Sequence, residues 1–243
     1  RFARPIRWLL ALSGATPLRV TVGALTSGRV TILGGPKRPK AVAVASVAAY
    51  PALLKRAGIL LDQSQRRAQI EQLVLREAAK QGGVPVPEVL AHGLLDEVTG
   101  LTEQPVPRPG RFDPKYLELP REVLLASMAK HQRVFAIQTK AGKLLPAFIG
   151  ILDGPPRKPP LVGSFMEHIL NARLADSLLF WTQDRRAPLE QAATAGVTFH
   201  ERLGSMADKT QRLVRLAEPL AELWSLDEPQ RQQLQRACRL AKA

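Results

Sequence analysis

Apolar positions along this chain follow two different spacings. From Ile6 to Leu33 they come in short clusters broken by Ser13-Gly14 and Ser27-Gly28, which predicts short strands joined by turns. The run Gly34-Gly35-Pro36-Lys37-Arg38-Pro39-Lys40 reads as a basic loop. After it, Ile70, Leu73, Val74 and Ala78 recur at helical spacing behind Asp62, an N-cap with Gln65 three residues on, and Gly82-Gly83 ends the pattern. A shorter helix is expected over Pro87 to Val98, extended backbone through Pro105, Pro107 and Pro109, and another helix from Pro120 through Lys130.

Two strand-like runs follow, Val134 to Thr139 and Leu145 to Leu152, joined as a hairpin across Lys140 to Lys143. Asp153-Gly-Pro-Pro-Arg-Lys-Pro-Pro160 is an exposed basic connector. From Phe165 onward the periodicity is helical: Leu174, Leu178 and Trp181 form one apolar face, and Arg173 and Asp176 are spaced to pair. Gly204 marks a turn, after which Met206, Leu213, Leu216, Leu220 and Leu223 form a core-facing stripe. The line Leu234, Cys238, Ala241 still runs at the last residue, so the chain is read as a piece of a longer polypeptide with Cys238 as a buried thiol. The expected fold class is α+β, a mixed sheet with packed helices followed by an all-helical partial domain. The domains are placed at 1–190 and 191–243, with the boundary near Pro188 to Gly196.

Composition then narrows the class. Forty-five per cent hydrophobic residues suit a folded protein. No stretch approaches the roughly 18 to 20 apolar residues of a membrane span, and no signal-peptide core stands at the start. With one cysteine the natural compartment is a reducing cytoplasm. Dinucleotide and phosphate-loop glycine patterns, the hydrolase elbow and the paired-histidine zinc motif are all missing, and four scattered histidines make no zinc site of ordinary composition.

Charge changes the picture most. The net charge is +14, and no carboxylate precedes Asp62. Arg1, Arg4, Arg7, Arg19, Arg29, Lys37, Arg38, Lys40, Lys55 and Arg56 lie in that acid-free stretch. Such a block suits a polyanion, since each phosphate neutralised releases condensed counterions; a solubilising surface and a face for an acidic partner subunit are the other readings. Lys130-His131-Gln132-Arg133, at a helix-to-strand junction, either grips phosphate or ribose or satisfies backbone groups at the helix end. Arg185 and Arg186 stand where a helix ends, beside its exposed carbonyls. His200 and Asp208, eight apart, do not share one helical face and are read as structural or RNA-facing.

Several blocks in order resemble one family. They are Phe2-Ala-Arg-Pro-Ile-Arg-Trp8, Leu95-Asp-Glu-Val-Thr99, Tyr116-Leu-Glu-Leu-Pro120, Met128-Ala-Lys-His-Gln-Arg-Val-Phe135, Gly142-Lys-Leu-Leu-Pro-Ala-Phe148, Ala172-Arg-Leu-Ala-Asp176 and Phe199-His-Glu-Arg-Leu-Gly204 with Asp208-Lys209. They are similar to the beta subunit of the bacterial two-subunit glycyl-tRNA synthetase. The chain departs from the family's usual run at Thr31-Ile-Leu-Gly-Gly-Pro36, at Gln104, at Val134 and at Gly163-Ser-Phe-Met166, as a divergent member would.

The resemblance implies a central fragment with a B3/B4-like α+β domain and the first helices of an HD-type domain. It implies a tRNA-recognition role supporting aminoacylation of tRNA(Gly). On this resemblance the catalytic core, with its ATP and Mg, belongs to the alpha subunit, and no catalytic residues, metal or cofactor are expected in the fragment. Expected partners are tRNA(Gly), the alpha subunit and the remainder of the beta chain, with no membrane. The nucleic-acid contacts expected are Arg29, Lys37, Arg38, Lys40, Lys130, His131, Arg133, Arg185 and Arg186. Hydrolytic editing of mischarged tRNA and a scaffold that binds the alpha subunit are the alternatives.

Overall fold

The computed structural model describes residues 6–34, 39–88, 93–156, 158–191, 194 and 196–242. Two compact units divide the chain, Arg1–Leu174 and Ala175–Ala243.

The first unit opens with three antiparallel ribbons: β1 (Leu12–Ser13) with β2 (Thr16–Pro17), β3 (Thr21–Val22) with β4 (Leu25–Thr26), and β5 (Val30–Leu33) with β6 (Lys40–Ala43). Gly14 turns the first in the left-handed region, at φ 58°, as a tight hairpin requires. Ser27 holds the ribbons in register: its hydroxyl donates to the Leu18 carbonyl at 2.6 Å and accepts from the Val20 N–H at 2.8 Å. The strands expected from the short apolar clusters are therefore present.

Helix α1 (Tyr50–Arg56) leads into α2 (Gln63–Lys80), whose N-cap is Asp62, accepting from the Gln65 N–H at 2.8 Å. Ile70, Val74 and Ala78 are buried, and Glu77 beside them is buried too, paired with Lys80 at 2.8 Å. Pro87 and Glu88 are helical, so a helix opens at Pro87 as expected, and α3 (Leu94–Leu101) begins within the same expected span. It starts after a left-handed Gly93 and runs past Val98 because Leu94, Leu95, Val98 and Thr99 form its buried face. Val89 to His92, also within that expectation, lie outside the described residues.

Packed on these helices is a four-stranded antiparallel sheet in the order β7-β9-β10-β8. Its strands are β7 (Val84–Pro85), β8 (Pro105–Arg111), β9 (Phe135–Gln138) and β10 (Leu144–Asp153). Every residue of β9 is buried. The proline-rich β8 sits on the edge, the place a strand lacking N–H donors can occupy. A 3-10 turn, Pro114–Glu118, buries Tyr116 and is capped by Asp113, whose carboxyl accepts from the Lys115 N–H at 3.0 Å. That N–H and the Lys115 ammonium hold the Asp113 carboxyl below the ordinary carboxylate range.

The edge is then covered. Helix α5 (Pro159–Asp184) presents Glu167 and Asn171, whose side-chain oxygens accept from the Arg111 and Asp113 N–H groups at 2.9 Å each. Covering an edge in this way removes a template for strand addition. Between β8 and β9, α4 (Arg121–Ala126) widens into a π-helical turn over Ser127–Gln132.

The second unit holds the rest of α5, a ribbon of β11 (Thr198–His200) and β12 (Gly204–Ser205), then α6 (Met206–Leu223) and α7 (Glu228–Leu240). Helices carry it, as expected, and the ribbon is an addition that helical periodicity does not signal. Both last helices open on reciprocal capping boxes, Ser205 with Asp208 and Asp227 with Gln230.

The expected stripe on α6 is corrected. Leu216, Leu220 and Leu223 are exposed, Leu223 to 74%, while Ala217 and Ala221 are the buried residues of that helix. Small side chains let α6 approach α7 closely, and the Glu218 carboxylate fixes the pair by accepting from Arg231 at 3.1 Å and Gln235 at 3.2 Å. Cys238 is half-buried. Among the described residues no helix is long and apolar enough to cross a membrane.

Candidate nucleic-acid interface

The described part of the acid-free stretch folds into the three ribbons and α1, and its Arg7, Arg19, Arg29, Lys40, Lys55 and Arg56 are exposed. Arg29 and Lys40 are exposed at opposite ends of the β5–β6 ribbon: Leu33 pairs with Lys40, and the Arg29 carbonyl accepts from the Val44 N–H at 2.7 Å. Four strand residues between them separate the two ends by about 13 Å. Arg29 also has a structural task, donating from Nη2 to the Ala15 carbonyl at 2.9 Å and tying the first turn to the third ribbon. Lys37 and Arg38 fall outside the described residues.

Lys130, His131 and Arg133 are exposed at the far end of the π-helical turn, the helix-to-strand junction expected for them. Arg133 takes up the left-handed conformation, φ 53° and ψ 43°, that ends the turn. Its N–H and that of Val134 both donate to the Met128 carbonyl, so the backbone here satisfies itself without the His131 ring. The Arg133 guanidinium pairs with Glu97 of α3 at 2.5 Å, whereas Lys130 has no ion pair among the described residues.

Arg185 and Arg186 belong to the second unit and follow the last residue of α5. The Arg185 guanidinium lies over the Trp181 ring, 5.4 Å from its centroid, a contact that fixes a cation without neutralising it. In the same unit Lys209 covers the Phe199 ring at 3.7 Å. His200 and Asp208 have structural work: His200 Nδ1 accepts from the Arg202 N–H at 3.2 Å, and Asp208 closes the capping box. The Ser205 N–H, the Ser205 hydroxyl and nearby Arg212 hold the Asp208 carboxyl below its ordinary 3.8.

A groove of about 430 Å³ lies between α3 and the α4 to π-helix segment, within the range of small-ligand sites. Leu94, Leu125, Ala126 and Ala129 give it an apolar floor. Arg121 braces one end, donating to Gln138 at 2.7 Å, Glu88 at 3.1 Å and the Gly142 carbonyl at 3.2 Å. Glu122 and Lys130 line the same groove. Of these only Lys130 is among the contacts expected from sequence. Glu122 and Arg121 carry no local signal, since only the packing of α3 against α4 makes a groove of them.

The family model described as glycyl-tRNA synthetase beta subunit matches residues 1–243. A glycine–tRNA ligase beta subunit of Syntrophomonas wolfei is 38% identical over 245 residues, covering 100% of this chain and 35% of that protein. The subunit of the same name from Myxococcus xanthus is 37% identical over 248 residues, covering 100% and 34%, and that of Solidesulfovibrio magneticus is 40% identical over 224 residues, covering 91% and 32%. The chain thus spans about a third of the length of these relatives.

Proposed function

We infer that this chain, which belongs to the glycyl-tRNA synthetase beta subunit family, is a non-catalytic tRNA-recognition portion of glycine-tRNA ligase. It holds or orients tRNA(Gly) through phosphate contacts while a separate alpha subunit, with ATP and Mg, carries out aminoacylation. The observation that supports this reading most is the acid-free N-terminal stretch, whose exposed Arg29 and Lys40 stand on ribbons with no carboxylate before Asp62. A surface of one sign attracts a polyanion at long range and releases its counterions on contact. Lys130, His131, Arg133, Arg185 and Arg186 extend the same chemistry to other parts of the chain, as do Lys37 and Arg38 in sequence.

Equilibrium binding of tRNA to the 243-residue protein across a salt series tests the reading. Affinity falling linearly on a log–log plot is the expected result, with a slope of about 0.7–0.9 per phosphate contacted. Undetectable binding at low salt, or affinity indifferent to salt, would falsify it. Release of amino acid from mischarged tRNA would instead favour editing, and co-purification with the alpha subunit without tRNA affinity would favour a scaffold.

A further inference from the structure

We propose that the groove between α3 and α4 is a binding site for a single unstacked nucleotide, with the phosphate at Lys130 and the base edge at Glu122; the proposal rests on the tRNA reading above. The charges in the groove are already sorted. Glu88 is paired with Arg121 and Glu97 with Arg133, which leaves Glu122 and Lys130 without an ion pair among the described residues. One cation and one acceptor-only carboxylate therefore face a common space over an apolar floor.

Their separation selects the ligand. Glu122 and Lys130 are eight positions apart on one continuous helical segment, about 12 Å of rise at 1.5 Å per residue, a little less through the wider turn. The ammonium and carboxylate of a free amino acid are neighbours on one carbon and do not bridge such a distance. A nucleotide carries its anion and its base edge at opposite ends of one unit, with a flat apolar face between them. Leu125, Ala126 and Ala129 rise between the two charged residues on the same helix face, where a base can lie against them. Single-stranded RNA is read in this way, by packing on the base face and hydrogen bonds to its edge.

Glu122 sets a preference within the class. A carboxylate accepts two parallel N–H bonds, and guanine offers two adjacent donors on its pairing edge, whereas uracil offers one. The π-helical turn is a second pointer, because such insertions recur at functional sites. Here it carries Ala129 and Lys130 into the groove wall.

Isothermal titration of the 243-residue protein with GMP, AMP, CMP and UMP, with glycine and inorganic phosphate as competitors, tests the proposal. GMP is expected to bind at millimolar concentration or below and more tightly than UMP. Lys130→Ala and Glu122→Gln should each weaken GMP about tenfold, the loss of one charged hydrogen bond, with thermal melting unchanged because both side chains are exposed. Guanosine, lacking phosphate, should be insensitive to Lys130→Ala. The proposal fails if no mononucleotide binds, if neither substitution weakens GMP, or if glycine or phosphate displaces GMP as well as GMP displaces itself. Salt-dependent tRNA binding without mononucleotide binding removes the groove and leaves the tRNA reading standing; absence of both removes both.

Discussion

Gly163 of α5 lies against the guanidinium of Arg108 on the edge strand β8, so closely that a methyl group on Gly163 would overlap the guanidinium nitrogens. Gly163 is buried, and Arg108 Nε is shielded from solvent with no hydrogen-bond partner among the described residues. Helix propensity alone makes Gly163→Ala stabilising by about 1 kcal/mol. Overpacking of about 1–3 kcal/mol opposes it and should win. Urea unfolding of G163A is therefore expected to show a loss, most of it recovered in G163A/R108A, with the coupling read from a double-mutant cycle. A more stable G163A would show that Arg108 moves aside freely.

Arg133 ends the π-helical turn at φ 53°, a conformation that costs a residue with a Cβ about 1–2 kcal/mol. Its ion pair with Glu97 is 48% and 44% exposed and contributes at most about 1 kcal/mol. Arg133→Ala loses the pair and keeps the strain, while Arg133→Gly loses the pair and relieves the strain. After the entropy of an unfolded glycine is subtracted, R133G should be more stable than R133A by about 0.5–1 kcal/mol in denaturant titration. Equal stabilities would mean that the turn relaxes in solution.

Asp208 gives the second unit a pH dependence of stated sign. Its carboxyl is held below 3.8 chiefly by the Ser205 N–H and hydroxyl. In the interval between the folded and the higher unfolded value, the unfolded chain binds more protons. Stability from this cap is thus complete above the unfolded value and is lost as pH falls through the folded one. NMR titration should place the Asp208 carboxyl below the exposed carboxylates, and Ser205→Ala should move it back toward them. The same substitution should destabilise α6 by about 1 kcal/mol.

Lys40 offers the cleanest test of the phosphate-contact surface. It is exposed and its side chain has no ion pair or hydrogen bond among the described residues, whereas Arg29 also holds the Ala15 carbonyl. Lys40→Ala should weaken tRNA binding at low salt and reduce the slope of log affinity against log salt by about 0.7–0.9. Arg29→Ala should in addition lower the melting temperature. An unchanged slope for Lys40→Ala would take that residue out of the interface.

How much of this was legible in the sequence depended on how local the cause was. Asp62, Gly204 and the prolines of β8 announce a cap, a turn and extended backbone because each acts on its own backbone: Gly204 sits at φ 82°, where a side chain would also meet the Asp208 carboxylate. The Lys130 to Arg133 junction was legible for the same reason. The groove was not, since Glu122 looks like any solvated helix residue until α3 is laid beside it. A helical start at Pro87 was legible because proline suits a first helical position, whereas the run of α3 to Leu101 was not, since it follows from the burial of Leu94, Leu95, Val98 and Thr99.

The stripe on α6 shows the same limit and gives a test. Leucine at helical spacing signals an apolar face but not which face meets a neighbour, and here Ala217 and Ala221 are buried while Leu220 is exposed. Ala221→Leu inserts methylenes where α6 meets α7 and should destabilise this chain by about 1–3 kcal/mol. Leu220→Glu changes an exposed side chain and should stay within about 0.5 kcal/mol. Denaturant unfolding followed by far-ultraviolet circular dichroism compares the two directly. If Leu220→Glu proved the more damaging, the leucine face rather than the alanine face would be the one that packs.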